Sequence, residues 1–342
     1  VYNKGILIGR FQPFHLGHLH LITEALALCD ELIIFIGSVN RPRTPKDPFT
    51  FEERRQMILD ALSEEDDSSL VKKVHIVGIE DTFYDDRRWV DYIHQTLDVF
   101  EKKGESLVLI GHRKDESSYY LDLFPDIQLV EIENHEDINA TEIREHYFTE
   151  SLLKSPVAEN LPESVLNYLQ KFQQTSAFKA LKAEATYIND YRASWRDLPW
   201  PPLFVTTDAI VLCNDHILLI KRGNHPGKGL WALPGGFLEP DEWVTDGLIR
   251  ELTEETQIAV SESDLFSALK AIDVFDHPKR SLIGRVITHV GLFELELEKL
   301  PDVTGNDDAL EAKWVKISDF FTMSSLLHDD HYFIVQTLIA PS

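Results

Sequence analysis

The chain has 342 residues, more than one ordinary core needs, so its length favours two domains. Hydrophobic residues make up 43% and charged residues 27%, which is ordinary for globular protein and excludes wholesale disorder. A formal net charge of −25 repels phosphate backbones and anionic lipid. Nucleic acid and membrane are therefore not expected partners, whereas small nucleotides can bind wherever local cations, backbone N–H groups or a metal offset the charge.

Only Cys29 and Cys213 occur, far apart and in apolar stretches, with no zinc-like spacing. They read as inert core thiols. The first strand-like segment, residues 5–8, comes without a basic stretch and long apolar run before it. No stretch approaches the ~20 apolar residues that span a bilayer. These features together predict a cytoplasmic protein, and a homo-oligomer stays open.

In chain order, residues 6–9, 32–37, 74–79, 107–111 and 128–132 are short runs rich in Ile, Leu and Val, as strands buried on both faces should be. Amphipathic stretches separate them: a stripe of Leu19, Ile22, Leu26 and Cys29, then 51–62 and 89–100. This alternation predicts an α/β fold, a doubly wound parallel sheet with ligands at the C-terminal strand ends. Residues 162–195 read as helices, until Leu198-Pro-Trp-Pro-Pro202 breaks the pattern. Beyond it come strands at 204–212 and 217–221, a Gly/Pro-rich loop, one strong helix and a long strand at 284–297. The expected division is a first domain over 1–185, a linker over 186–202 and a second domain over 203–342.

The most informative run of the first half is Gly9-Arg-Phe-Gln-Pro-Phe-His-Leu-Gly-His18, between a buried strand and a helix. His15 and His18, three apart at a helix start, can face one pocket. Arg10 adds fixed charge, Gly17 permits close approach, and the helix start offers N–H groups. These residues suit stabilisation of charge on a phosphoryl group without a covalent nucleophile.

The run resembles the HxGH-type motif of the nucleotidyltransferase superfamily, specifically the archaeal-type nicotinamide mononucleotide adenylyltransferases. The resemblance covers roughly the first 150 residues. Pro48-Phe-Thr-Phe-Glu-Glu-Arg54 matches that family's Pro-Phe-Thr-x-x-x-Arg segment, which implies that Arg54 contacts the ATP phosphates. The segment Leu109-Ile-Gly-His-Arg-Lys-Asp115 with Ser117-Ser-Tyr-Tyr120 is similar to the branch fused to a Nudix domain. Thr141-Glu-Ile-Arg144 fits the end of the family's Ser-Ser-Thr-x-x-Arg motif. Here Asn139 and Ala140 replace the serines, and Asn139 retains the ability to cap the helix.

The resemblance implies ATP and phosphate contacts from Gly9, Arg10, Phe11, Gly17, Gly111, Arg113, Thr141 and Arg144, with His15, His18 and Arg54 catalytic. It also implies that the nicotinamide ring of the mononucleotide stacks on an aromatic. Trp89 sits near the expected place, although a Trp on an amphipathic helix is equally a core residue. Asp81 is placed to take the carboxamide.

In the second half, Gly236-Phe-Leu-Glu-Pro-Asp-Glu242, seven residues, then Arg250-Glu-Leu-Thr-Glu-Glu255-Thr-Gln-Ile258 fits the Nudix box, Gx5Ex7REUxEExGU. Glu251, Glu254 and Glu255 crowd one helical face, a repulsion that a hard divalent cation relieves. The box predicts a Nudix α/β/α sandwich. The resemblance to Nudix hydrolases implies metal ligation by Glu251, Glu254, Glu255 and the Gly236 carbonyl, with Glu251 and Glu255 catalytic. Arg250 would orient the glutamates and Glu242 the loop–helix junction. Gly235, Arg222 and Arg285 are the further substrate and loop residues. Gln257 replaces the box's final glycine, so a left-handed helix end is expected there at some cost.

Phe275-Asp-His-Pro-Lys-Arg280-Ser-Leu-Ile-Gly-Arg285 and Asp307-Asp-Ala-x-x-Ala-x-Trp314 resemble ADP-ribose-type Nudix hydrolases. Asp307, Asp308 and Glu311 either bear on the substrate or form a solvated loop. The implied protein is bifunctional, with ATP, nicotinamide mononucleotide and ADP-ribose as ligands and Mg²⁺, or Mn²⁺, at both sites. Two other readings stand beside it: a Nudix domain that senses ADP-ribose without hydrolysis, and a first domain that adenylylates another phosphorylated acceptor.

Overall fold

The computed structural model describes residues 2–67, 69–100, 104–113, 116–133, 138–149 and 155–339. It divides into two compact units, Val1–Ala185 and Thr186–Ser342.

In the first unit, strands β1 (Tyr2–Gly9), β2 (Cys29–Ile36), β3 (Val74–Gly78), β4 (Leu107–Gly111) and β5 (Gln128–Glu131) alternate with helices α1 (Leu16–Leu28), α2 (Phe51–Ser63) and α3 (Asp86–Phe100). The sheet order is β3-β2-β1-β4-β5, and every pairing is parallel. Both faces are covered, which explains the unbroken apolar runs. Leu7, Leu32, Ile34, Val108 and Ile110 face a cluster containing Ile22 of α1 and Ile58 of α2. Their neighbours Ile6, Ile8, Ile33, Phe35 and Leu109 face another, containing Ile93 and Leu97 of α3. Strand residues pointing alternately to opposite faces thus feed two cores.

Helices α4 (Ala140–Thr149), α5 (Glu163–Phe172) and α6 (Ser176–Ser194) complete the run. Ile143, Tyr147, Val165, Leu169, Phe172 and Phe178 join the α1 and α2 side of the core. Cys29 departs from expectation: it caps α1 in an extended conformation and begins β2, its thiol donating to the Ala25 carbonyl at 3.1 Å. The residues 186–202 expected as a linker begin inside α6, which continues to Ser194.

In the second unit, β6 (Leu203–Cys213), β7 (His216–Arg222), β8 (Trp231–Ala232) and β9 (Gly235–Phe237) precede α7 (Val244–Thr256) and α8 (Glu262–Ala268). Then follow β10 (Leu269–Phe275), β11 (Arg285–Glu294), β12 (Ala309–Lys316), α9 (Ile317–Phe320) and α10 (His331–Ile339). The mixed sheet has the order β10-β11-β6-β7-β12, with β8 on β7 and β9 on β6. Strand β11 is shorter than the apolar run, because its parallel register with β6 ends at Glu294 opposite Leu212. Leu248, Ile249 and Leu252 of α7 and Leu265 of α8 pack onto Ala209, Val211, Leu218 and Phe293. Among the described residues no helix is long and apolar enough to cross a membrane.

Candidate active sites

The first site forms where β1 ends. Phe11 takes a left-handed backbone conformation (φ 53), which costs an L-residue about 1–2 kcal/mol. Its ring covers Gly9, where a Cβ would come within 2.8 Å of it. The reversed chain is pinned by Gln12, whose amide bonds the Phe49 carbonyl (2.9 Å) and whose carbonyl oxygen accepts from the Phe49 N–H (3.0 Å). This presents His15, buried, and His18, half-buried, at the start of α1. Their rings stack with centroids 3.6 Å apart, and Phe11 abuts the His18 ring at 4.8 Å. Gly17 lies beneath, where a Cβ would come within 3.1 Å of the His15 Nδ1.

Around this turn gathers a set of cations, of which the sequence reading left out Arg41 and Lys46. Asp47 is buried, with Arg10 at 3.9 Å. Burial pushes its carboxyl up, but Arg10, Lys46, Arg41 and Arg144 outweigh that and hold it below the ordinary value. Burial lowers the Lys46 ammonium to about 8. The Arg41 guanidinium sits over the Phe83 ring, 4.8 Å from its centroid. The signal was present: Arg41-Pro-Arg-Thr-Pro-Lys-Asp47 is a basic run immediately before the matched Pro-Phe-Thr segment. Such a concentration of positive charge in a chain of net charge −25 is where a polyphosphate belongs.

Arg54, expected to contact the ATP phosphates, has its donors on main-chain carbonyls in this structure. It is 1% exposed, and its guanidinium donates to the backbone carbonyls of Thr50, Arg10, Gly37 and Ser38. Burial lowers it to about 10, still cationic at neutral pH. With its donors on main-chain oxygens, it holds the ends of β1 and β2 together under the site. Thr50 and Glu53 form a reciprocal capping box that starts α2 and aims this side chain.

Arg144 bonds the Gln12 carbonyl at 2.6 Å and Thr141 Oγ1 at 3.1 Å, which brings α4 to the histidine turn. Asn139 caps α4 through its side-chain oxygen to the Thr141 N–H (2.9 Å). Asp81 accepts from Ser38 Oγ at 3.0 Å; burial raises its carboxyl, opposed by Arg41.

Two expected residues make contacts of other kinds. Trp89 packs edge-on against Tyr120 (6.3 Å) and tilted on Phe124 (5.9 Å), partly buried against the core cluster beside α3. Arg113 is exposed, paired with Asp122 at 2.6 Å and Glu131 at 3.0 Å. Gly111 ends β4 against Leu121. Lys114 and Asp115 lie outside the described residues, as does the side chain of Ser117.

The second site joins β9 to α7. Gly235 N–H donates to Glu255 Oε2 at 2.8 Å. A Cβ on Gly235 would meet the Thr207 carbonyl of β6 at 2.2 Å, and one on Gly236 would meet Glu251 Oε1 at 2.6 Å. Only glycine fits between the sheet and the acidic helix. Arg250 organises the carboxylates: it grips Glu242 at 2.6 and 3.0 Å, Glu251 at 2.8 Å and Glu254 at 3.1 Å, and bonds the Phe237 carbonyl. The tie to Glu242 dominates and lowers that carboxyl. Gln257 ends α7 in the left-handed conformation (φ 43), as its place in the box implies.

Glu255 is 3% exposed; burial, then Glu251 and Asp208, raise its carboxyl to about 8, against the Gly235 hydrogen bond. Burial also raises Glu251, against Arg250. Oxygen-only donors suit a hard divalent cation, and a cation beside Glu255 offsets the burial and carboxylate repulsion that raise it. The fit is in chemistry rather than in a preformed cage: among the described residues no three His, Cys, Asp or Glu side chains are grouped as a metal cluster. Glu251 and Glu254 are turned onto Arg250.

Arg222 lies close enough to Glu255 to lower it, and its Nε bonds the Pro226 carbonyl. Arg285 is tied to Asp276 through its carbonyl and carboxylate. Asp308 accepts from Asn224 at 2.6 Å and Asn306 bonds the Glu254 carbonyl, so this loop braces the end of α7. Asp307 and Glu311 are exposed.

The fold and these two sites define the class: a nucleotidyltransferase-like domain and a Nudix domain in one chain. Residues 6–146 match the Cytidylyltransferase-like family and residues 203–337 the NUDIX domain. A crystal structure of a bifunctional NMN adenylyltransferase/ADP ribose pyrophosphatase from Francisella tularensis, complexed with AMP and a manganese ion, is 39% identical. It superposes with a TM-score of 0.90, covering 99% of this chain and 98% of that one. The nicotinamide/nicotinic acid mononucleotide adenylyltransferase of Acinetobacter baylyi is 40% identical over 52% of this chain and 90% of its own length. The ADP-ribose pyrophosphatase of Methanocaldococcus jannaschii is 36% identical over 39% of this chain and 70% of its own. The chain belongs to the family of bifunctional NMN adenylyltransferase/ADP-ribose pyrophosphatases.

Proposed function

We propose that this chain makes NAD from ATP and nicotinamide mononucleotide at its first site and hydrolyses ADP-ribose to AMP and ribose 5-phosphate at its second. The observation that carries this is the whole-length likeness to the Francisella tularensis bifunctional protein, 39% identical over 99% of the chain. Both sets of site residues fall within it.

In the first reaction the mononucleotide phosphate attacks the α-phosphorus of ATP in line and expels pyrophosphate. His15, His18, Arg10, Lys46 and Arg144 stabilise the negative charge that accumulates on the phosphoryl oxygens, while Arg54 keeps their loops in place. Asp81 is the acceptor for the nicotinamide carboxamide.

In the second reaction water adds across the diphosphate P–O bond, leaving AMP and ribose 5-phosphate. Glu251, Glu254, Glu255 and the Gly236 carbonyl are the groups that hold a divalent cation, expected to be Mg²⁺ with Mn²⁺ as a substitute. When bound, the cation neutralises diphosphate charge and makes water acidic enough to attack. Arg250 orients the glutamates, and Arg222 and Arg285 supply positive charge to the substrate side.

A cytoplasmic location accords with the free, buried thiols of Cys29 and Cys213. The test is chromatographic: purified protein with ATP, nicotinamide mononucleotide and Mg²⁺ should yield NAD, and with ADP-ribose it should yield AMP. Absence of NAD with another phosphorylated acceptor consumed would redirect the first assignment. Tight ADP-ribose binding without AMP release would make the second domain a sensor.

A further inference from the structure

The loop that carries Gly235 and Gly236 is gripped from outside the Nudix box. Leu233 N–H donates to His331 Nδ1 at 2.9 Å, Ala209 N–H donates to the Pro234 carbonyl at 2.8 Å, and Gly235 N–H donates to Glu255. Three consecutive residues of the loop are thus fixed by α10, β6 and α7 in turn.

His331 opens α10 and is 5% exposed. Since its Nδ1 accepts a backbone N–H, the neutral ring carries its proton on Nε2, and that atom faces Asp208 Oδ1 at 3.7 Å. Asp208 is itself 6% exposed and accepts from Thr288 Oγ1 on its other oxygen. It lies directly opposite Gly235 in the β6–β9 ladder, and a Cβ on Gly235 would come within 2.6 Å of its Oδ1. Behind His331, Asp330 is locked to Arg280 by two hydrogen bonds of 2.9 and 3.0 Å, both residues buried. That pair anchors the start of α10, where the Asp330 carbonyl accepts from the Ile334 N–H.

A buried histidine and carboxylate are costly unless they are hydrogen-bonded or paired, as His331 and Asp208 are. An apolar side chain would fill the space of His331 but would leave the Leu233 N–H unsatisfied. We propose that His331 and Asp208 are a positioning pair of the hydrolytic site: together they set the Leu233–Gly236 backbone, and so aim the Gly236 carbonyl and the Glu255 carboxylate at one cation. The inference rests on the Nudix site being hydrolytic. Outer partners of this kind typically govern metal affinity and turnover by about 10–100-fold.

The full-length chain tests this directly, with calorimetric unfolding of the second unit, which carries the substitution, showing whether each variant is folded. His331→Phe should weaken Mn²⁺ binding to the chain, measured by calorimetric titration without substrate, and lower kcat for ADP-ribose hydrolysis, by about tenfold or more. KM for ADP-ribose and NAD formation should stay near wild type. His331→Gln presents an oxygen to Leu233 N–H and an N–H towards Asp208, and should retain most of the activity and the wild-type Mn²⁺ affinity. The inference is overturned if the Phe variant keeps wild-type turnover and Mn²⁺ affinity, or if Gln proves as damaging as Phe. A wild-type chain that releases no AMP from ADP-ribose would refute the parent reading instead, a distinct result.

Discussion

His15 and His18 lie face to face, ring centroids 3.6 Å apart and planes inclined by 24°. Under the proposed function, two imidazoles so stacked act on one phosphoryl group and neither is redundant. His18→Ala should lower kcat for NAD formation about 10²-fold, as losing one oxyanion-type donor does. Hydrolysis of ADP-ribose and the unfolding temperature should hardly change, because His18 is only half-buried. Retention of NAD synthesis within a few-fold would remove the histidine from the chemistry.

Arg54 separates scaffold from chemistry. Its removal leaves the carbonyls of Arg10, Gly37 and Ser38 without their donor in a buried place. Arg54→Ala should destabilise the protein by about 3 kcal/mol, because each buried carbonyl left without a donor costs about 1–3 kcal/mol. Denaturant titration followed at the first unit would measure this. A variant that unfolds like wild type, with only KM for ATP raised, would return Arg54 to direct phosphate binding.

Glu255 makes stability of the metal-free protein depend on pH. Its folded carboxyl is raised to about 8 by burial first and by Glu251 and Asp208, against about 4.3 for an unfolded glutamate. The unfolded chain therefore releases this proton earlier, so its contribution is full below about pH 4 and is lost as pH rises towards 8. In chelator, the unfolding temperature should fall across that window. Glu255→Gln should flatten this slope, and Mn²⁺ should restore stability to the wild type at pH 8. Equal slopes for wild type and variant in chelator would show that Glu255 is already ionised.

Gln257 holds a left-handed conformation that glycine adopts without strain. Gln257→Gly should stabilise the second unit by about 0.5–1 kcal/mol, the excess of the left-handed penalty over the entropy glycine loses. Calorimetry would detect this as a rise in unfolding temperature of about 2 °C. A fall instead would show that the side chain makes a contact worth more than the backbone strain.

Local information carried far in this chain. Strands buried on both faces reveal themselves as apolar runs, and their alternation with amphipathic helices already implies the parallel sheet of the first unit. The Nudix spacing places Glu251, Glu254 and Glu255 on one turn of α7 because helical geometry alone decides it. The left-handed end at Gln257 and the cap by Asn139 followed from the same short-range rules.

Contacts between distant segments were decided only by tertiary packing. Arg54 looks the same in sequence whether it meets phosphate or carbonyls; only packing shows it buried under the strand ends against four of them. Trp89 is partly buried because Tyr120 and Phe124 arrive from another segment. The cations around Asp47, and His331 reaching back to Leu233, come together across long stretches of chain. Charge and hydrogen bonding act through space, so the basic run at 41–47 announced cations but not their gathering around Asp47, and nothing local announced His331.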